Sequence, residues 1–248
     1  MVDQTVLVTK LLAMADDELI LAHRNSEWTG HAPILEEDIA FANIAQDELG
    51  HATLWYDIIR NLTGDDPDQL VFFRDAAAYR NTPLVELPKG DWAFSMVRQY
   101  LFDAYEMVVL PHLRQSQFKP MADAAAKIRT EEIYHLRHTT AWLKRLGLGT
   151  EESHERTQNA LNVLWPYARQ LFVPLPDEAI LVEKGLVGDA AALQQEWSSL
   201  VRPFLSSCNL VIPADTLAPG DRFHHSDYLS KLLDDMQSVA RLDPQAIW

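Results

Sequence analysis

The sequence predicts an all-α protein built on a bundle of four long helices. Apolar residues recur at spacings of three and four along most of the first 147 positions, which is the pattern of amphipathic helices. Only 9 glycines interrupt the chain, and apolar residues make up 48% of its 248 positions, enough to fill a large core. The net charge of -15 argues against a nucleic-acid-binding protein, because phosphate contacts require lysine and arginine.

The first two helices are predicted over residues 5–26 and 34–62. Residues 28–33 contain glycine and proline and form the turn between them. The second helix opens with the acidic residues 36–38, where negative charge suits the positive end of the helix dipole. It ends at residues 63–67, which again contain glycine and proline.

A long mixed crossover over residues 68–91, with a short helix near residues 69–73, leads to the second half of the bundle. The third helix is predicted over residues 92–117. Pro120 separates it from the fourth helix, which ends at the glycines within residues 147–149. Four long helices with a long connection in the middle match the topology of ferritin-like bundles.

Helical periodicity continues beyond residue 150. Three further helices are predicted there, at residues 153–173, 188–206 and 226–240. No linker composition separates this part from the bundle. We therefore predict a single ferritin-like domain over residues 1–248, with a four-helix core at about 5–147 and a C-terminal helical annex at about 150–248.

Two of the bundle helices carry a Glu-x-x-His pair. Glu48 and His51 form the pair on the second helix, and Glu132 and His135 form it on the fourth. Three residues advance an α-helix by about 300°, so both side chains of a pair leave the same face and can converge on one ion. The two pairs therefore predict a metal centre.

A third match, Glu151 to His154, serves as an internal control. It follows a glycine-containing stop and has no apolar face around it, so we interpret it as a solvated helix start. The other two pairs lie in the middle of apolar stripes. These stripes contain Phe41, Ile44, Trp55 and Ile58 on the second helix, and Ala125, Ile128, Thr139 and Trp142 on the fourth.

The first and third helices each offer one more carboxylate within an apolar stripe. These residues are Glu18 and Glu106. Asp103 stands three residues before Glu106 on nearly the same face and is an alternate ligand. Asp47 is a further alternate on the second helix, and Glu37, on the inward stripe, is predicted to hydrogen-bond around the ligands. Burying such carboxylates without a cation is unfavourable by several kcal/mol.

The predicted set therefore contains four carboxylates and two imidazoles, which suit two iron or two manganese ions. Its members are Glu18, Glu48, His51, Glu106, Glu132 and His135. The alternative interpretation is a polar core that is satisfied by hydrogen bonds and contains no metal. No organic cofactor is predicted for this chain.

A cytoplasmic location is predicted. The start of the chain carries acids where a secretion signal requires positive charge, and no segment has the roughly 18 uninterrupted apolar residues of a membrane span. The single cysteine, Cys208, permits no disulfide within the chain, which agrees with a reducing compartment. We predict no contact with a membrane.

Several segments resemble the C subunit of bacterial phenylacetyl-CoA epoxidase, the PaaC family. The most specific is the run Glu-Trp-Thr-Gly-His-Ala-Pro at residues 27–33. The other matching segments are 38–40, 42–44, 98–100, 103–104, 134–137, 142–143, 145–147 and the terminal Trp248. The resemblance covers nearly the whole chain.

The resemblance implies a ferritin-like subunit that pairs with the catalytic A subunit of a multicomponent monooxygenase. That enzyme converts phenylacetyl-CoA to its ring epoxide with O2 and with electrons from a separate flavin and iron-sulfur reductase. The family's C subunit is described as structural, with an eroded ligand set. This sequence departs from that pattern, because Glu48, His51, Glu132 and His135 are all present.

Three functions follow from these observations. The first is a PaaC-like subunit that holds the catalytic A-type subunit within a larger homo- or hetero-oligomer, served by the external reductase, and that also carries a di-iron ligand set. The second is a self-sufficient di-iron oxidase or oxygenase. The third is a metal-free structural subunit.

Overall fold

The computed structural model describes residues 4–246, and within that range it contains helices and turns without a β-strand. The α-helices are α1 (Gln4–Ser26), α2 (Leu35–Thr63), α3 (Pro67–Phe72), α4 (Pro83–Glu86), α5 (Trp92–Leu113), α6 (Lys119–Gly147), α7 (Glu151–Ala168), α8 (Glu178–Glu183), α9 (Ala190–Ser207), α10 (Asp227–Met236) and α11 (Ser238–Leu242). Two 3-10 helices lie at Ala76–Ala78 and Arg169–Phe172. Trp248 lies outside the described residues.

The long helices α1, α2, α5 and α6 form the bundle. Helix α1 packs along α2 and α5 packs along α6, while α2 faces α6 across the middle of the molecule. The crossover that joins the two pairs contains α3 and α4. This arrangement confirms the predicted all-α, ferritin-like fold.

The predicted apolar stripes of α2 and α6 face the interior. All of the stripe residues are buried except Trp142, which is half-buried at the end of α6. There Trp92, at the start of α5, makes edge-to-face contacts with Trp28, Phe41 and Trp142 at ring-centre distances of 5.0, 5.3 and 5.3 Å. This aromatic cluster closes one end of the bundle.

Some predicted helix boundaries are wrong, mostly near prolines. Helix α5 ends at Leu113 and not at residue 117, and Pro111 lies in its last turn. Pro120 opens α6 from within its first turn, a position that suits proline. Helix α8 was missed between Pro176 and Gly185, and the helix predicted at residues 226–240 is divided into α10 and α11.

The annex packs directly on the bundle. Helices α7 and α9 contact α5, and α8 contacts α1, where Lys10 Nζ lies 2.6 Å from Glu178 Oε1. Organisation as a single domain stays a prediction, which these contacts support. The helices within the described residues are too short or too polar to cross a lipid bilayer.

Three successive acids of α1 are buried and point in different directions. Asp16 accepts hydrogen bonds from Tyr56 and from Arg74 in the crossover. Asp17 accepts one from the backbone N–H of Thr82 at 2.6 Å and pairs with Arg222 of the annex at 2.8 Å. Glu18 points into the bundle. Each step along a helix rotates the side chain by about 100°, which separates the three directions.

Candidate metal centre

Seven acidic and imidazole side chains from the four bundle helices meet in the buried middle of the molecule. They are Glu18 on α1, Glu48 and His51 on α2, Asp103 and Glu106 on α5, and Glu132 and His135 on α6. None of them is more than 6% exposed. The set contains all six ligands predicted from the sequence together with the predicted alternate Asp103.

The donor atoms form two groups that share Glu48. Glu18, Glu48 and His51 make the first group, and Glu48, Asp103 and His135 make the second, with the ligand atoms of each group within 4.8 Å of one another. Glu48 Oε2 lies 3.4 Å from His51 Nδ1, and Glu48 Oε1 lies 3.7 Å from His135 Nδ1. Glu48 therefore stands between the two groups.

The structure favours Asp103 over Glu106 for the second group. Both lie on α5, but only Asp103 has an oxygen within reach of the Glu48 and His135 donor atoms. Glu106 is buried next to the charges of Glu132 and His51, and its Oε2 has no hydrogen-bond partner. A ligand role for Glu106 stays a prediction.

In the first group, His51 Nδ1 faces three carboxylates. It lies 3.4 Å from Glu48 and 3.7 Å from both Glu18 and Glu132. Six buried atoms around this point have no hydrogen-bond partner: both carboxylate oxygens of Glu18, Glu48 Oε2, His51 Nδ1, Glu106 Oε2 and Glu132 Oε2. Buried polar atoms in native proteins are nearly always satisfied, and a metal cation would satisfy these. The donor set therefore fits a metal ion here.

In the second group, a network of amides and a hydroxyl group reaches the carboxylates. Gln99 Nε2 donates to Glu48 Oε1 and to Asp103 Oδ1, at 2.7 Å in each case. Thr139 Oγ1 donates to Asp103 Oδ2 at 2.7 Å. Asn25 Nδ2 donates to Gln99 Oε1, also at 2.7 Å. The sequence pattern did not reveal Gln99 and Asn25, because amides carry no metal-ligand signal.

Each imidazole is also held from the outside by an acid on the opposite helix. His51 Nε2 lies 2.7 Å from Glu131 on α6, and His135 Nε2 lies 3.2 Å from Asp47 on α2. Such contacts fix the orientation of a ligating imidazole and raise its basicity. Asp47 thus contacts His135 through its side chain. Glu131 was not identified from the sequence pattern, although the glutamate of each of these two Glu-x-x-His pairs directly follows an acid in the sequence.

Glu37 and the third Glu-x-x-His match lie away from this centre. The Glu37 carboxylate is 2.7 Å from His138 Nε2 and contacts neither of the two central imidazoles. Glu151 is exposed at the start of α7, and His154 Nδ1 lies 2.8 Å from the backbone oxygen of Gly147. These contacts agree with the interpretation of that match as a helix start.

The proton affinities show an excess of negative charge in the centre. Burial raises the pKa of Glu18 well above its usual value, and the neighbouring charges of Glu48 and Glu106 raise it further. Burial would also raise the pKa of Glu48, but the adjacent Glu18 and His51 side chains and the charge of His135 outweigh it and lower this pKa to about 2. Burial would lower the pKa of His135, yet Glu132 and Asp47 raise it to about 11. The carboxylates therefore require protons or a metal cation to balance them.

Comparisons with known proteins agree with this architecture. A family model described as "Phenylacetic acid catabolic protein" matches residues 2–248. The chain is 35% identical over 245 residues to the C subunit of 1,2-phenylacetyl-CoA epoxidase from Escherichia coli (strain K12), covering 98% of this chain and 99% of that protein. It is 25% identical over 173 residues to the A subunit of the same enzyme, covering 70% and 56%. The resemblance inferred from the sequence is confirmed, and the chain belongs to the phenylacetic acid catabolic protein family.

Proposed function

We propose that this chain is the C-type subunit of a multicomponent oxygenase that acts on phenylacetyl-CoA, and that it holds a catalytic A-type subunit in place. The observation that carries this proposal is the match to an epoxidase C subunit over 98% of the chain, against a weaker and partial match to the corresponding A subunit. In this assembly an external reductase would supply the electrons. A cytoplasmic location belongs to the proposal and is supported by the single cysteine.

A surface on α1 and α2 is suited to such a partner. A groove of about 610 Å³ runs between these helices, and small residues such as Ala22, Ala42 and Ala45 line it. Leu49 of α2 lines the groove and is 50% exposed, and Ile39, ten residues earlier on the same helix, is 56% exposed. Small residues let a helix approach closely, and exposed apolar residues mark interaction surfaces. We propose that a helix of the A-type subunit lies in this groove.

The metal centre is the second part of the proposal. The donor set suits iron or manganese, and the di-iron pair predicted from the sequence would require both donor groups. When bound, such an ion supplies redox or Lewis-acid chemistry. The chain's own residues orient the imidazoles through Glu131 and Asp47, and the surrounding core excludes water.

Co-expression with an A-type subunit tests the assembly. We expect the tagged chain to co-purify with that subunit and the paired substitution Ile39→Asp and Leu49→Asp to abolish co-purification. Val211→Asp is the matched control, because Val211 is 72% exposed in the annex and does not line the groove. Failure of the unmodified chain to co-purify would contradict the proposed assembly. Retention by the paired variant would contradict only the proposed surface.

The self-sufficient oxidase remains the second candidate, because both Glu-x-x-His pairs reach the core. Turnover of phenylacetyl-CoA by the reconstituted complex separates the two candidates. If the role of this chain is structural, Glu48→Gln should leave the rate within about twofold of the unmodified complex. Only removal of a group that stabilises the transition state lowers the rate strongly. A large loss of turnover in a complex that still assembles would favour catalysis in this chain.

A further inference from the structure

We propose that the bundle core is built for one divalent cation and not two, and that the side-chain amide of Gln99 closes the position of the second. The inference rests on the metal-binding part of the proposed function and is independent of the proposed assembly. Its basis is the unequal hydrogen bonding of the two donor groups, although each group contains the histidine of a Glu-x-x-His pair.

The first donor group has its ligand atoms free. Glu18 has two unpartnered oxygens, and Glu48 Oε2 and His51 Nδ1 have no hydrogen-bond partner. The other His51 nitrogen is held by Glu131 at 2.7 Å, which leaves Nδ1 directed at the carboxylates. A neutral imidazole with one nitrogen so held presents the other as a metal ligand. One cation placed among these atoms would satisfy them.

The second donor group has its ligand atoms already occupied. Both Asp103 oxygens accept hydrogen bonds, from Gln99 and from Thr139. Both His135 nitrogens face carboxylates, with Nδ1 at 2.7 Å from Glu132 and Nε2 at 3.2 Å from Asp47. No nitrogen of His135 is therefore left without a partner, in contrast to His51.

The Gln99 amide cannot simply turn its oxygen toward a metal. Its nitrogen has two hydrogens, and one goes to Glu48 and the other to Asp103. Its oxygen is held by Asn25 at 2.7 Å. Rotation of the amide by 180° would break these bonds and set its oxygen against two carboxylates. The amide thus satisfies the carboxylates as a hydrogen-bond donor in place of a cation.

Manganese binding to the metal-free, full-length protein tests the inference. We expect Mn(II) titration, followed by elemental analysis of the washed protein, to give one ion per chain. The electron paramagnetic resonance spectrum should show the hyperfine lines of an isolated Mn(II), without the broadening that exchange between two adjacent ions produces. Two ions per chain with an exchange-coupled spectrum would overturn the inference.

Two matched variants separate the donor groups. His51 and His135 share the motif, the spacing and the burial, so His51→Gln and His135→Gln remove equivalent atoms. We expect His51→Gln to weaken Mn(II) binding on the order of 100-fold, while His135→Gln keeps one ion with little change in affinity. Equal losses in both variants would overturn the inference. Circular dichroism verifies that both variants are folded.

A third variant tests the role assigned to Gln99. Gln99→Glu replaces the donor amide with a carboxylate between Glu48 and Asp103, and we expect it to bind a second Mn(II) with an exchange-coupled spectrum. Gln46→Glu adds the same charge at an exposed position of α2 and should keep one ion. A Gln99→Glu protein that still binds only one ion would show that the Gln99 amide does not exclude the second ion, and would overturn the inference. An unmodified chain that binds no Mn(II) would contradict both this inference and the proposed metal centre. The proposed assembly would not be affected, because co-purification tests it independently.

Discussion

A buried ion pair links the annex to the first helix, α1. Lys10 Nζ lies 2.6 Å from Glu178 Oε1, and the Glu178 side chain is only 6% exposed. Glu178 also accepts a hydrogen bond from the backbone N–H of Leu175 at 2.7 Å. Charges this buried are favourable only when they are paired and hydrogen-bonded, and Glu178 meets both conditions.

The Lys10–Glu178 pair should make the stability depend on acid. Burial would raise the pKa of Glu178, but Lys10 and the Leu175 N–H outweigh it and lower this pKa below its usual 4.5. A lowered acid pKa stabilises the folded state above about pH 4.5, and this contribution disappears as the pH falls through the lower, folded-state value. We expect Glu178→Gln to lose about 2 kcal/mol of unfolding free energy at pH 7, and much less at pH 3.

Urea unfolding of both proteins across this pH range measures the difference. Lys10→Met is the companion variant and should show the same pH-dependent loss. A Glu178→Gln difference that stays constant from pH 7 to pH 3 would mean that the side chain acts through packing and not through its charge.

At the scale of elements, the crossover between α2 and α5 is held to α1 by Asp16. This carboxylate accepts from Tyr56, from Arg74 and from the backbone N–H of Arg80 at 2.7 Å. Asp16 is fully buried, and the side chain of Arg74 is 12% exposed. Without Asp16, the positive charge of Arg74 would remain in the interior without a counter-ion.

We therefore expect Asp16→Asn to destabilise the protein by about 3 to 5 kcal/mol, as other broken buried pairs do. Urea unfolding gives the magnitude, and limited proteolysis should show faster cleavage within residues 73–82. The exposed pair Asp57–Arg60 is the control, and Asp57→Asn should change stability by less than about 1 kcal/mol. Asp16→Leu combined with Arg74→Met should recover part of the loss, and no recovery would contradict the ion-pair explanation.

For the whole molecule, the acidic centre makes the unfolding free energy depend on whether a metal ion is bound. A ligand present at about 100 times its dissociation constant adds about 2.7 kcal/mol to the unfolding free energy. For a chain of this length, that corresponds to about 5 to 10 °C in melting temperature. We expect Mn(II) to raise the melting temperature of the unmodified protein by this amount and a chelator to reverse the change.

The effect of Glu18→Gln on stability should change sign when metal binds. Because burial and the charges of Glu48 and Glu106 raise the pKa of Glu18, its ionisation destabilises the metal-free fold as the pH rises above the usual 4.5. The variant should therefore melt above the unmodified protein at pH 8 without metal, and below it with saturating Mn(II). Differential scanning calorimetry measures both states. A variant that is less stable in both would contradict the view that Glu18 is retained for a cation.

The sequence predicted the helices and much of the centre because both depend on local spacing. Periodicity identified the four bundle helices, and the Glu-x-x-His spacing identified the side chains that share a helix face. The network around Gln99 could not be predicted, since its partner Asn25 is 74 residues away and amides occur at many polar positions. Helix α8 spans only six residues between Pro176 and Gly185, too few for a helical period to be recognised, and α5 ends two residues after Pro111.

The run of acids at residues 16–18 also determines how α1 can enter the bundle. Its apolar side chains alone would tolerate sliding or rotation of the helix, because one aliphatic residue substitutes readily for another. A shift by one residue would turn each acid by about 100°, moving Asp16 and Asp17 away from their arginines and backbone donors and Glu18 away from the metal centre. The contacts of these three acids with the crossover, the annex and the metal centre thus disfavour packing of α1 in any other register.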